Sequence, residues 1–173
     1  MKVGFVFAEN TRWWAFLSPV FMKISKINFS HCAIVLSNKD YALIYNSEWP
    51  YGYKTTLDKW LKTYKIKHQF LLEVEDPVAT SMHAWLNLNV KKPYSLIQLI
   101  YILIYKLFPY SRFYLHKKIL NGDHKDICTE FLASFIEKFF NVNFTKSDDL
   151  IDLNDVFNMV KRISAGEKWQ YLE

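Results

Sequence analysis

The chain predicts an α+β fold, a small antiparallel sheet packed against helices, on three observations. Short β-favouring runs with strand alternation crowd the first half. Apolar stripes at helical spacing dominate the second half. Glycine is scarce, four in 173 residues, while aromatics reach 18%, a combination that fits packed layers with few tight hairpins.

Val3 to Phe7 reads as a strand buried on both faces. Thr11 to Ile27, rich in Trp, Phe and Met, reads as a helix kinked or restarted near Pro19. Phe29 to Leu36 and Tyr41 to Tyr45 are β-rich runs joined by Ser37-Asn38-Lys39-Asp40, which predicts a hairpin. Alternation puts His31, Ala33 and Val35 on one face and Cys32, Ile34 and Leu36 on the other. Asn46, Ser47 and Glu48 close the second strand, and Trp49 to Tyr53 forms an aromatic loop. Thr55 to Tyr64 reads as a short helix with Leu57, Trp60, Leu61 and Tyr64 on one side. Lys67 to Val74 is a further strand. Pro77 opens a helix running to about Val90, in the turn where proline is favoured. Tyr94 to Phe108 reads as a hydrophobic helix stopped at Pro109, and Tyr110 to Lys125 as a polar, basic loop. Asp126 is placed to cap a helix that carries Cys128 in its first turn and Phe131, Leu132, Phe135, Ile136 and Phe139 on one stripe. Asp148-Asp149 or Asp152 caps a last helix holding Leu153, Val156, Phe157 and Val160.

Hydrophobic residues at 51% and charged residues at 23% are a globular composition. No linker or repeat divides the chain, so one domain over residues 1–173 is expected. Neither GxGxxG nor GxxxxGK[ST] occurs, which argues against a glycine-rich nucleotide loop. The net charge of +5 is spread along the chain, densest at Lys59 to Lys67 and Arg112 to Lys118. That pattern is a solvated face rather than a nucleic-acid footprint, although it suits an anionic phospholipid or an acidic cell-wall polymer. Two cysteines make no disulfide framework. The N-terminal apolar run is too short for a signal peptide. The longest apolar run, Leu96 to Phe108, is shorter than a membrane span needs. A cytoplasmic location is the expectation.

Cys128, at a helix start, feels the positive end of the helix dipole, which favours its thiolate; Glu130 opposes this slightly. A nucleophilic cysteine needs a base and a group that orients the base. His31 stands at the entrance of an apolar strand, and in a hairpin the end of the second strand lies beside it, bringing Asn46 or Glu48 to the ring. Those two share a face, and the sequence does not choose between them. Cys32 is the rival thiol, directed by alternation into the core as a small hydrophobe. His124 is an alternative base in a loop; His68, His83 and His116 have no evident partner. A zinc site built on Cys32, Cys128 and histidines lacks any C-x2-C or H-x3-H spacing, and neither a metal nor an organic cofactor is expected.

Phe29-Ser30-His31-Cys32-Ala33-Ile34-Val35-Leu36 resembles the histidine strand of the NlpC/P60 superfamily of papain-like thiol hydrolases. Here His31 precedes Cys128, the circularly permuted order of the YiiX-like and lecithin:retinol acyltransferase-like branch. Ile44 to Gly52 followed by Thr55-Thr56-Leu57-Asp58-Lys59-Trp60-Leu61, then Pro93-Tyr94-Ser95 and Cys128-Thr129-Glu130-Phe131, are similar in order to the YiiX-like elements. Two positions depart from that pattern: the third catalytic position is often glutamate in the branch, whereas spacing here favours Asn46 with Glu48 two residues on, and Ser95 replaces a usual aspartate.

The resemblance implies the permuted NlpC/P60 arrangement and a cysteine hydrolase or acyltransferase. Cys128, His31 and Asn46 or Glu48 would act on a peptide, a peptidoglycan-like peptide or a lipid acyl group. The alternative is an inactive binding module on the same fold. A third reading is peripheral contact with an anionic membrane through Arg112 to Lys118.

Overall fold

A computed structural model describes residues 1–11, 17–48, 50–95, 100, 127–144 and 151–166. It is an α+β structure built on a five-stranded sheet in the order β4-β3-β2-β1-β5, with every neighbouring pair antiparallel. The strands are β1 (Lys2–Asn10), β2 (His31–Ser37), β3 (Ala42–Asn46), β4 (Tyr53–Thr56) and β5 (Tyr64–Glu73). The helices are α1 (Leu17–Ser25), α2 (Leu57–Leu61), α3 (Asp76–Asn89), α4 (Cys128–Phe140) and α5 (Leu153–Ser164).

Period-two alternation gives the sheet two apolar faces. Phe5, Phe7, Cys32, Ile34, Leu36 and Tyr45 turn to the side covered by α3, α4 and α5. Val6, Ala8, Ala33, Val35 and Ile44 turn to the other side, against Trp60 and Tyr64. On the α4 side Phe135 is fully buried among Phe5, Trp85, Phe139 and Phe140, with ring centroids 5.0–6.2 Å away. Such edge and tilted contacts suit the aromatic quadrupole. The whole expected stripe of α4, Phe131 to Phe139, is buried.

The β2–β3 hairpin turns where the sequence places it. Asn38 Oδ1 accepts from the Asp40 and Tyr41 backbone N–H groups at 2.8 and 2.9 Å, the side-chain turn that favours asparagine there. Pro77 lies in the first turn of α3. Asp152 caps α5, accepting from the N–H groups of Asn154 and Asp155 at 2.7 and 3.2 Å, while Asp155 accepts from that of Asp152 at 3.0 Å.

Several expected boundaries are corrected. β1 runs on to Asn10, and Thr11 is bonded to the Thr63 carbonyl rather than opening a helix. α1 ends at Ser25, before the expected Ile27, because Lys26 adopts a left-handed conformation and the Ile27 N–H returns to the Met22 carbonyl, a Schellman-type stop. Thr55 and Thr56 are not helical. These β-branched residues pair with Ile44 and Leu43 to make β4, and the helix expected over Thr55 to Tyr64 shrinks to the five residues of α2. Tyr64 instead opens β5, and Leu61 is exposed. Tyr94 does not begin a helix: Tyr51 bridges to Pro93, and the Tyr94 N–H donates to the Pro50 carbonyl. The N-cap of α4 is Ile127. Trp49, most of Leu96 to Phe108, the Tyr110 to Lys125 loop with Arg112 to Lys118, His116, His124, Asp126 and Asp148-Asp149 lie outside the described residues. No helix among the described residues is long and apolar enough to cross a membrane.

Candidate active site

The β2–β3 ladder ends at the pair Ile34↔Tyr45, leaving His31, Cys32 and Ala33 beyond it at the start of β2. α4 packs against β2 and begins there, with Cys128 as its first residue. His31 and Cys32 leave the strand on opposite faces, and both reach Cys128. The His31 ring and Cys32 both stand close enough to the Cys128 sulfur to act on its charge. The Cys32 thiol lies 3.3 Å from the Cys128 carbonyl oxygen.

Asn46 is one residue past the last β2–β3 pair, and its backbone is held by pairing with Tyr53 on β4. Its side chain settles the orientation of His31. Asn46 Nδ2 donates to Glu48 Oε2 at 3.2 Å, and an ionised carboxylate only accepts. The amide oxygen therefore faces His31, accepts from Nε2–H, and leaves Nδ1 to meet the thiol. The flat side of the imidazole is fixed as well. It stacks on Tyr64 at 5.0 Å, and Tyr64 stacks on Trp60 at 4.3 Å.

Glu48 anchors the rear of the site. Besides Asn46, it accepts from the Tyr53 hydroxyl at 3.0 Å and from Asn10 Nδ2 at 3.5 Å. The Tyr64 hydroxyl is bonded to Glu48 as well and takes a further bond from Asn10 Nδ2. A register shift between Phe7 and Ala8 of β1 brings these groups together. One extra residue on β5 makes Tyr64 the partner of Asn10; in unbroken register that partner would be Lys65, whose side chain takes the other face. Asn46 and Glu48 are thus not alternatives. Asn46 touches the imidazole, and Glu48 touches Asn46.

The electrostatics follow from these contacts. The thiol bond from Cys32 draws the Cys128 thiol well below its ordinary range; burial opposes this, and the charge and hydrogen bond of His31 add to the lowering. A neutral S–H is a weak donor, so the charged imidazole is the stronger physical reason for a thiolate here. Burial alone would lower the His31 pKa, but the charges of Cys128 and Glu48 and the bonds to Cys128 and Asn46 leave it raised. The pair thus favours thiolate and imidazolium. Burial and the proximity of Cys128 push the Cys32 thiol well above its ordinary value.

Of the other candidates, His68 bonds to Asn28 Oδ1 at 3.1 Å and sits among Phe29 and Phe157, away from this cluster. His83 lies on α3 against Tyr45. Among the described residues no group of three or more His, Cys, Asp or Glu side chains is placed to hold a metal ion.

Sequence reasoning missed three contributors. Tyr94, in the Pro93-Tyr94-Ser95 motif but given no role, stands beside Cys128, and burial and the neighbouring thiols push its phenol well up. Asn10 falls between the strand expected to end at Phe7 and the helix expected from Thr11, and Tyr53 in the expected aromatic loop. The available signal for Asn10 was a polar residue closing an apolar strand. Neither a protein-family model nor a curated protein matches this chain.

Proposed function

We propose that the chain is a cysteine hydrolase or acyltransferase acting on an amide or ester bond, in the circularly permuted NlpC/P60 arrangement of the YiiX-like branch. The observation that carries the reading is the continuous chain Cys128–His31–Asn46–Glu48, in which the thiol is lowered and the imidazole raised. Structural buried cysteines are inert and carry raised pKa values, as Cys32 does; Cys128 is the opposite case.

The Cys128 thiolate attacks the acyl carbonyl, and His31 Nδ1–H then protonates the leaving amine or alcohol. Asn46 keeps the ring in register through both steps, and Glu48 favours the charged imidazole. The Cys128 backbone N–H at the start of α4 and the Tyr94 hydroxyl beside the sulfur are donors suited to the oxyanion. Water or another acceptor, deprotonated by neutral His31, releases the acyl group. Peptides, cell-wall peptides and lipid acyl groups are the substrate classes that fit this chemistry.

Labelling with thiol-reactive acyl probes, followed by a screen of amide against ester substrates, tests the reading. Selective modification of Cys128 that His31→Ala suppresses supports it. Equally slow labelling of wild type and variant supports a non-catalytic binding module on the same fold.

A further inference from the structure

Cys32 is the nucleophilic group for which the proposed reaction has no use. A small core residue at that place would satisfy packing as alanine or valine, yet a thiol is present and is turned onto the neighbouring cysteine. Its sulfur lies 3.3 Å from the Cys128 carbonyl oxygen, to which its S–H donates, and it stands beside the Cys128 sulfur. Both cysteines are free and buried. They are 96 residues apart in sequence, so the fold, not the local chain, brings them together.

We propose that Cys32 and Cys128 are a redox pair: a hydroperoxide joins them in a disulfide that removes the Cys128 nucleophile, and a dithiol reductant restores it. This inference rests on the reading of Cys128 as the reactive thiol and names a regulation of the same site. In the first step the Cys128 thiolate attacks the outer peroxide oxygen. An S–O bond forms, the O–O bond breaks, and the departing alkoxide or hydroxide takes a proton from His31. Cys128 becomes a sulfenic acid and the peroxide is reduced by two electrons. In the second step the Cys32 sulfur attacks the sulfenic sulfur, the S–O bond breaks, and the Cys32 proton leaves with the hydroxide as water. The sum is two thiols and one hydroperoxide giving one disulfide, one alcohol or water, and one further water.

The two thiols divide the roles by environment. Cys128 is held towards the thiolate that peroxide needs, whereas the burial that disfavours a Cys32 thiolate makes Cys32 a poor target for oxidants in bulk solvent but a local resolving group. Closing a disulfide brings the two sulfurs to about 2 Å. Cys32 is held by its pairing with Phe7 of β1, beyond the end of the β2–β3 ladder, so the movement is shared between its side chain and that of Cys128 at the start of α4.

The test uses the full chain, reduced and then treated with hydrogen peroxide, denatured in N-ethylmaleimide and weighed intact. The reduced protein takes two maleimides. The proposal predicts that the oxidised protein takes none, is lighter by two hydrogens, and yields one peptide pair linking Cys32 to Cys128. Acyl-probe labelling of Cys128 then falls to background and returns after dithiothreitol. In Cys32→Ser, peroxide leaves a sulfenic acid on Cys128 that dimedone traps, or drives it on to sulfinic acid that the reductant does not reverse. Direct sulfinic acid on Cys128 of the wild type with Cys32 still open to maleimide, or two unreacted thiols, overturns the proposal. A disulfide that forms by mass while the acyl probe never labels the reduced protein instead rejects the catalytic reading and leaves the redox pair standing.

Discussion

Glu48→Gln isolates the rear charge of the site while keeping its size. Glu48 reaches His31 across the Asn46 amide, and its negative charge favours the imidazolium over the neutral ring. Because Cys128 and His31 titrate as a pair, two macroscopic steps are observed. The lower is loss of the thiol proton with the imidazole charged, and the upper is loss of the imidazolium proton with the thiolate present. Glu48 raises His31, so removing its charge moves the upper step down. The lower step, farther from Glu48, moves little. The pH range of the thiolate–imidazolium pair therefore narrows from its alkaline side. Chemical shifts of the His31 ring carbons followed against pH read the upper step directly. An upper step that stays in place or rises in Glu48→Gln refutes the conclusion that Glu48 acts on His31 through Asn46.

Other perturbations have equally definite outcomes. Tyr94→Phe removes a hydroxyl from Cys128 without opening a cavity; loss of one oxyanion donor predicts acyl transfer slower by about 10²–10³, with iodoacetamide alkylation of Cys128 far less affected, measured side by side. Asp152→Ala deletes both side-chain acceptor bonds at the start of α5 and lowers stability by about 1 kcal/mol in urea unfolding. Phe135→Ala empties the centre of the face under α4 and costs about 3–5 kcal/mol by the same assay. Gly52→Ala sets a methyl carbon 1.8 Å from the Val90 carbonyl oxygen, a backbone atom. It therefore pushes the segment of residues 50–53 off that of residues 92–94, displaces Tyr94, and lowers acyl transfer together with stability.

How much of this was legible in the sequence depends on the range of the forces concerned. The β2–β3 hairpin, α3, the stripe of α4 and the α5 cap rest on local patterns: alternation, a proline in a first turn, 3.6-residue spacing and an N-cap aspartate. Each was readable within about ten residues. Hairpin geometry alone brought Asn46 or Glu48 to His31, without choosing between them. β4 escaped because Thr55 and Thr56 carry no apolar alternation; their strand state comes from pairing with Ile44 and Leu43. The order of Asn46 and Glu48 behind His31 was unreadable because it depends on Tyr53 and Asn10, drawn from other strands, and on one extra residue in β5. Alternation sent Cys32 into the core correctly but could not say that α4 would start against it.

The central claim is that His31 holds Cys128 as a thiolate, and the pH dependence of Cys128 alkylation by iodoacetamide tests it most directly. The rate at pH 7 alone is a poor guide. Lowering a thiol pKa from about 8.5 to about 5.5 raises the thiolate population about 30-fold, while intrinsic nucleophilicity falls about 20-fold at a Brønsted slope of about 0.45. The two nearly cancel, so the midpoint of the curve carries the information. The site predicts a wild-type midpoint well below the ordinary thiol value of about 8.5, because the Cys128 thiol is lowered, and a midpoint in His31→Ala that moves up to or beyond that value, where burial is no longer opposed by the imidazole. Coincident midpoints for the two proteins at or above about 8.5 would contradict the account.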